Sequence, residues 1–296
     1  MIFCRDGMAS VITIALLSDI HGNLPALEAV LADLAAQAAD AIFILGDLVN
    51  GCPWSAGVLD RLADLRWPML LGNHDDAVLQ LGTPRMEARY ADRRRYAALW
   101  WTREHLTSRH LDLLARLPLE ASPQLAGAPP LRLVHGLPGN FFVGIRPDSP
   151  EAWAARHLAR VAEETVAGGH THVPMVRRVA RWLVVNVGAV GISYDGDPRA
   201  SYALLRGDAA GWQVEIRRVE YDRGVVDAGY RESGLLAEGG AMAEMFRRSV
   251  LSGLPWVSDF AWWMRDQPPE ASLDMAAALR AYDARHGPGH WAFPYV

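Results

Sequence analysis

The sequence predicts an α/β protein, and three observations predict it. Apolar, β-branched runs recur at residues 11–17, 41–45 and 68–71, and each stops at a polar tip. Segments with apolar residues three and four apart lie between the first runs. Strand, polar tip, helix and strand again is a βαβαβ opening, which calls for a largely parallel sheet.

Each element follows from its own residues. Residues 11–17 (VITIALL) make a strand buried on both faces, too short for a secretory core or a membrane span. Residues 1–10 read as an N-terminal extension. After Ser18-Asp19-Ile20-His21-Gly22-Asn23 comes a helix with Leu24, Leu27, Leu31 and Leu34 on one face. The second strand, 41–45, ends at Gly46-Asp47. Pro53 and Ser55 signal the start of a helix over 55–65. The third strand, 68–71, ends at Gly72-Asn73-His74-Asp75-Asp76. Residues 86–117 form a helical insertion rich in Arg and Trp. Residues 131–134 make a strand that stops at His135-Gly136, and 151–164 are helical.

The stretch "VAGGHTHVP" (166–174) follows. Four short alternating segments, 176–179, 182–187, 201–205 and 212–219, predict a second, mostly antiparallel sheet. One domain thus covers 11–222, and a helical, aromatic-rich extension covers 223–296. Trp256, Phe260, Trp262, Trp263, Trp291, Phe293 and Tyr295 are too apolar to stay in water. They are expected to dock on the core of the same chain, with a homodimer through the extension as the alternative.

Composition sets outer bounds. The chain has 296 residues, 51% of them hydrophobic, and a net charge of −5, so broad electrostatic binding of nucleic acid is not expected. Two cysteines, Cys4 and Cys52, cannot build a disulfide framework or a zinc ribbon. A soluble, cytoplasmic protein with no membrane partner is the expectation.

The chemistry lies at the strand ends. Asp19, His21, Asp47, Asn73, His74, His135, His170 and His172 all fall at or just past the ends of predicted buried strands. Ligands of open α/β sheets bind at that edge. Taken singly, Asp19 and Asp47 could be helix caps, Asn73 a turn residue and His135 a core histidine. Together they are carboxylates, imidazoles and a carboxamide without a thiolate, a set that suits Mn, Fe, Zn or Ni. So many donors exceed what one ion uses; two ions about 3.5–4 Å apart would use them. In an extended segment His170 and His172 point to the same side, so each could serve a different ion. Gly168 and Gly169 would let the backbone approach the crowded centre.

In order, "SDIHGN" (18–23), "LGDLV" (45–49), "LGNHDD" (71–76), "VHG" (134–136), "GGHTHVP" (168–174) and "NVGAVG" (186–191) resemble the motif series of calcineurin-like metallophosphoesterases. The likeness spans about residues 11–222 and is strongest to the small bacterial phosphoesterases. It implies a four-layer αββα sandwich of two mixed sheets. It also implies that Asp19, His21, Asp47 and His172 hold one metal, while Asp47 bridges to a second completed by Asn73, His135 and His170. Manganese is the first expectation for both. His74 would face a small phosphoester substrate as the catalytic acid, with Asp75 or Asp76 to orient it.

The function implied is a dimetal phosphodiesterase that works by in-line attack of a metal-bridging hydroxide. Alternatives are a phosphomonoesterase (a protein phosphatase or nucleotide-polyphosphate hydrolase) and a non-catalytic metal-binding scaffold. Two departures stand out. "GLPGNFFVGIRP" after His135 lacks the charged pattern of such relatives, and "NVGAVG" stands in place of "NPGS".

Overall fold

The computed structural model describes residues 11–286. The chain opens with β1 (Ile12–Leu17), α1 (Leu24–Leu34), β2 (Ala41–Ile44) and α2 (Ser55–Leu65). Three helices follow: α3 (Asn73–Gln80), α4 (Ala97–Glu104) and α5 (Ser108–Leu114). Next come β3 (Glu120–Ala121), β4 (Leu131–Val134), α6 (Glu151–Leu158), β5 (Thr165–Gly168), β6 (Met175–Val179) and β7 (Trp182–Asn186). The hairpin of β8 (Ala200–Asp208) and β9 (Gly211–Val219) leads into α7 (Arg223–Glu232), α8 (Leu235–Ser252), α9 (Trp256–Arg265) and α10 (Met275–His286).

Two mixed sheets face each other, in the orders β2-β1-β8-β9 and β3-β4-β5-β7-β6. Period-two alternation divides their side chains among layers. Ile14 and Leu16 of β1, Ala203 and Leu205 of β8, Leu131 and Leu133 of β4, and Val185 of β7 fill the space between the sheets. Ala15 and Leu17, with Tyr202 and Leu204, turn outward onto α1 and α2. Val134, Val166 and Val184 turn the other way, onto Ala154 and Leu158 of α6. Helix, sheet, sheet, helix is the four-layer α/β sandwich.

Some local expectations change. The four alternating segments do not form one sheet: β8 and β9 join β1, whereas β6 and β7 join β5. The reason is burial. The first six residues of β8 are all buried, which suits a central strand beside β1 and not an exposed edge. The third expected strand shrinks to one bridge, Met69 to Ile44. Pro68 has no N–H to give, and the N–H of Leu71 turns away to the carbonyl of Pro118. The helical insertion breaks into a 3-10 turn at Ala88–Ala91, α4 and α5, and the helix expected over 151–164 ends at Leu158.

The extension packs on its own chain. Val226, Tyr230, Leu235, Ala243, Phe246 and Val250 of α7 and α8 close over Cys52, Ala98, Trp101 and Ile192. Phe260, Met264 and Tyr282 add a second apolar layer on Met245. Burying a side chain the size of Phe260 is worth about 1.5–3 kcal/mol. Of the aromatic tail, Trp291, Phe293 and Tyr295 lie outside the described residues.

Candidate metal centre

At the carboxyl ends of the central strands the backbone turns sharply. Asp19, His21, Asp47, Asn50, His170 and His172 all have positive φ, between 51° and 67°. They are six of the nine non-glycine residues in that conformation among those described. Such conformers are uncommon and cost roughly 1–3 kcal/mol each, so their clustering marks a site that the surrounding fold holds under strain. The expectation that His170 and His172 sit in an extended segment is therefore wrong. The left-handed turns, not strand alternation, send the two rings to different places.

Asp19, His21, Asp47 and His172 form one group whose donor atoms all lie within 4.8 Å of one another. The ring tautomers here are set by backbone. His21 Nδ1 lies 2.7 Å from the carbonyl of Asn50, and His172 Nδ1 lies 2.5 Å from that of Ile192. A carbonyl only accepts, so both Nδ1 atoms carry the hydrogen. The two Nε2 lone pairs are left facing each other at 3.1 Å. That arrangement requires a positive charge between or beside them.

Asp47, His135 and His170 form a second group on the same distance criterion. The carboxamide oxygen of Asn73 joins them, 3.0 Å from His135 Nε2 and 2.9 Å from His170 Nδ1. His135 Nδ1 donates to the carbonyl of Leu45 at 2.8 Å, which again leaves Nε2 facing the centre. Asp47 belongs to both groups. The structure thus brings together all seven residues predicted from sequence as ligands.

Whether this chamber fits cations can be judged from its carboxylates. Asp47 Oδ1 accepts from the backbone N–H of His74 at 2.8 Å, and Asp19 Oδ2 accepts from that of His170 at 2.9 Å. The other oxygens, Asp47 Oδ2 and Asp19 Oδ1, are buried and make no well-formed hydrogen bond; each faces an imidazole nitrogen, His135 Nε2 at 3.2 Å and His172 Nε2 at 3.3 Å. Each carboxylate therefore uses one oxygen to brace the fold and turns the other toward the imidazoles of the centre. At about 4.8 Å and an effective dielectric of 20, two such charges repel by roughly 3.5 kcal/mol. Only nearby positive charge offsets that.

The protonation states agree. Burial alone would raise Asp19, but His172 and His135 hold its pKa down to about 2. Burial lowers His21 to about 3 and His170 to about 4, which keeps both in the neutral, ligating form. His135 is the exception. Burial opposes its charge, yet Asp47 and Asp19 raise it to about 9, so without a cation it carries one itself. The backbone leaves room too: a Cβ on Gly169 would strike Ser18 Oγ and Asp19 Oδ2, and one on Gly72 would strike Asp47 Oδ1. The residues fit a pair of divalent ions.

His74 stands beside the centre without joining either group. Its ring meets that of His21 edge-on, with centroids 4.8 Å apart, and its Nδ1 lies 2.7 Å from Asn50 Nδ2. The expectation that Asp75 or Asp76 orients it is not met. Asp75 turns inward, accepting from the N–H groups of Leu48, Val49 and Gly72. Burial and Asp47 raise its pKa to about 7. Asp76 bonds Gln80 and pairs with Arg85.

Sequence reasoning missed Asn50, although it lies inside the second motif's loop. It also missed Asn186, whose amide donates to the carbonyl of Gly169 and to Thr171 Oγ1, fastening the loop that carries His170 and His172. Cys52 is inert here, for burial pushes its thiol up to about 12.

Comparison with known proteins agrees with the geometry. The profile of the calcineurin-like phosphoesterase superfamily domain matches residues 12–209. An uncharacterized protein of Methanocaldococcus jannaschii is 30% identical over 229 residues, 71% of this chain and 88% of its own. A crystal structure of a metallophosphoesterase from Sphaerobacter thermophilus is similar at 29% identity and a TM-score of 0.66, over 83% of this chain and 100% of that one. A hypothetical protein of Pyrococcus horikoshii shares the fold at 23% identity and a TM-score of 0.68, over 82% and 98%. On its fold and on this match from residue 12 to residue 209, the chain belongs to the calcineurin-like phosphoesterase superfamily.

Proposed function

We propose that this protein is a dimetal-dependent phosphodiesterase acting on a small phosphoester. The observation that carries the proposal is the sharing of Asp47 by two ligand groups, with His74 next to both and part of neither. Asp19, His21, Asp47 and His172 would hold one divalent ion; Asp47, Asn73, His135 and His170 would hold the other. Manganese is the first choice on the family likeness, while the oxygen and imidazole donors themselves suit manganese, iron, zinc or nickel. Bound there, the ions supply the Lewis acidity that activates water and neutralises phosphoryl charge.

The protein's own residues then divide the work. Asp19 and Asp47 set the charge of the chamber, and His21, His135, His170 and His172 fix its shape. Asn73 keeps its amide N–H groups free of the histidines, since its oxygen faces them, and can donate to a phosphoryl oxygen. With Asn50 donating to Nδ1, neutral His74 carries its proton on Nε2 and would hydrogen-bond the departing oxygen, stabilising the charge that builds there. A diester is favoured over a monoester on the likeness to the small bacterial phosphoesterases alone.

The test is hydrolysis of bis(p-nitrophenyl) phosphate and p-nitrophenyl phosphate by protein stripped with chelator and reloaded with Mn²⁺. The expected result is metal-dependent turnover that favours the diester. His74→Ala should retain the metal and lose about 10²–10⁴-fold in rate, less with a good leaving group than with a poor one. A loaded protein inert to both esters would contradict the proposal, and preference for the monoester would overturn its diester part.

A further inference from the structure

Beyond the motif-bearing domain, three contacts tie the helical extension to the imidazoles of the centre. From α7, the buried hydroxyl of Tyr230 donates to the carbonyl of Gly51 at 2.8 Å. From α8, the buried ring of Phe246 meets His74 edge-on, with centroids 6.3 Å apart. The apolar cluster of α7 and α8 also takes in Tyr194, whose ring stacks on His172 with centroids 4.3 Å apart.

The Tyr230 contact bears on the most. Gly51 sits in a turn of two successive residues at positive φ, 66° at Asn50 and 137° at Gly51. A turn so far from the ordinary basins persists only when its neighbours hold it. One of its holds is Cys52 N–H to the carbonyl of His21, at 2.7 Å. Another is Tyr230. The turn in turn governs two rings: the Asn50 carbonyl fixes Nδ1 of His21, and the Asn50 side chain fixes Nδ1 of His74. A Cβ on Gly51 would press on the Cβ of His21 at 3.1 Å, which shows how tightly the turn and that ligand are packed.

We infer that Tyr230 is a positioning residue, through which the helical extension sets the orientation of His21 and His74 and so becomes part of the working site. This rests on the metal-centre reading above. Groups hydrogen-bonded directly to a metal ligand, as Asn50 is to His21, commonly alter affinity or rate by 10–100-fold, and Tyr230 acts through that partner at the lower end of the range.

The test compares Tyr230→Phe, which removes one hydroxyl, with Tyr282→Phe, which removes a hydroxyl bonded to Asp259 in the far layer of the extension. Tyr230→Phe should weaken Mn²⁺ binding, read by calorimetry, by about tenfold. In the metal-free protein it should move the ¹⁵N signals of the His21 and His74 imidazoles. It should also cut hydrolysis of an alkyl diester more than that of a nitrophenyl diester, a split that general loosening would not produce. Tyr282→Phe should do none of these.

Phe246→Leu, a milder change in the same wall, should move His74 alone and so serves if Tyr230→Phe folds poorly. Unchanged Mn²⁺ affinity and unchanged imidazole signals in folded Tyr230→Phe, or signals of His74 unmoved in Phe246→Leu, would overturn the inference. Weaker Mn²⁺ binding in a protein whose parent hydrolyses neither ester would support the positioning role and refute the phosphodiesterase.

Discussion

The two halves of the centre share Asp47 but differ in how they are closed. In the half built from Asp19, His21 and His172, every donor is buried, and both rings are pinned at Nδ1 by backbone carbonyls. In the other half, Asn73 and His170 are only partly buried. Among the described residues His170 meets no backbone carbonyl at Nδ1, which faces the side-chain oxygen of Asn73 instead. The first half is a closed, pre-set cage and the second an open one. A closed cage needs little reordering to bind, so it should hold its ion tightly. The open one should exchange its ion and present the substrate-facing side.

This contrast can be broken by paired substitutions. His172→Ala removes a proposed ligand of the closed half and should weaken the tighter of two Mn²⁺ sites by at least about 100-fold, the most that loss of an outer partner of a ligand usually costs. His170→Ala should weaken only the looser site, by about tenfold. Calorimetric titration distinguishes them. Equal losses from both substitutions would remove the asymmetry.

A smaller effect sharpens the contrast from outside. Asp33, near the far end of α1, accepts from Arg217 at 2.9 and 3.0 Å and from the hydroxyl of Tyr202. The Arg217 bond holds its pKa below the ordinary carboxylate value. The stability it contributes is therefore present above about pH 4 and is lost as pH falls through the lowered folded value. Asp33→Asn should lower Tm by a few degrees at pH 7. It should also flatten the fall of Tm below pH 4 while leaving both Mn²⁺ affinities unchanged. Altered metal binding in this variant would show that the halves are not set locally.

How much of this was legible in the sequence depends on the range of the forces involved. That Asp19, His21, Asp47, Asn73, His135, His170 and His172 come together could be read because buried strands announce themselves by apolar runs, and these polar residues sit where those runs stop. The conformation at His170 and His172 could not, since it goes with contacts far apart in sequence, such as the approach of Gly169 to Asp19 and the bond from the N–H of His170 to Asp19 Oδ2. The third strand failed at Pro68, where apolar character was right and hydrogen-bonding capacity was not. Asn50 lay in plain view between Asp47 and Cys52, yet its role appears only when α3 brings His74 to it. Tyr230 and Phe246 gave no local signal at all. Their contacts with Gly51 and His74 join residues more than 150 positions apart, and only the folded extension makes them neighbours.

The central claim is that one carboxylate, Asp47, serves two ions. Elemental analysis of the Mn²⁺-loaded protein and of Asp47→Asn tests it most directly. Asparagine keeps the oxygen that braces the N–H of His74 and removes the charge of the one that faces the imidazoles. The account predicts two ions per chain in the parent and the loss of both in the variant at the same metal concentration. A single tightly held ion per chain, unaffected by Asp47→Asn, would contradict it.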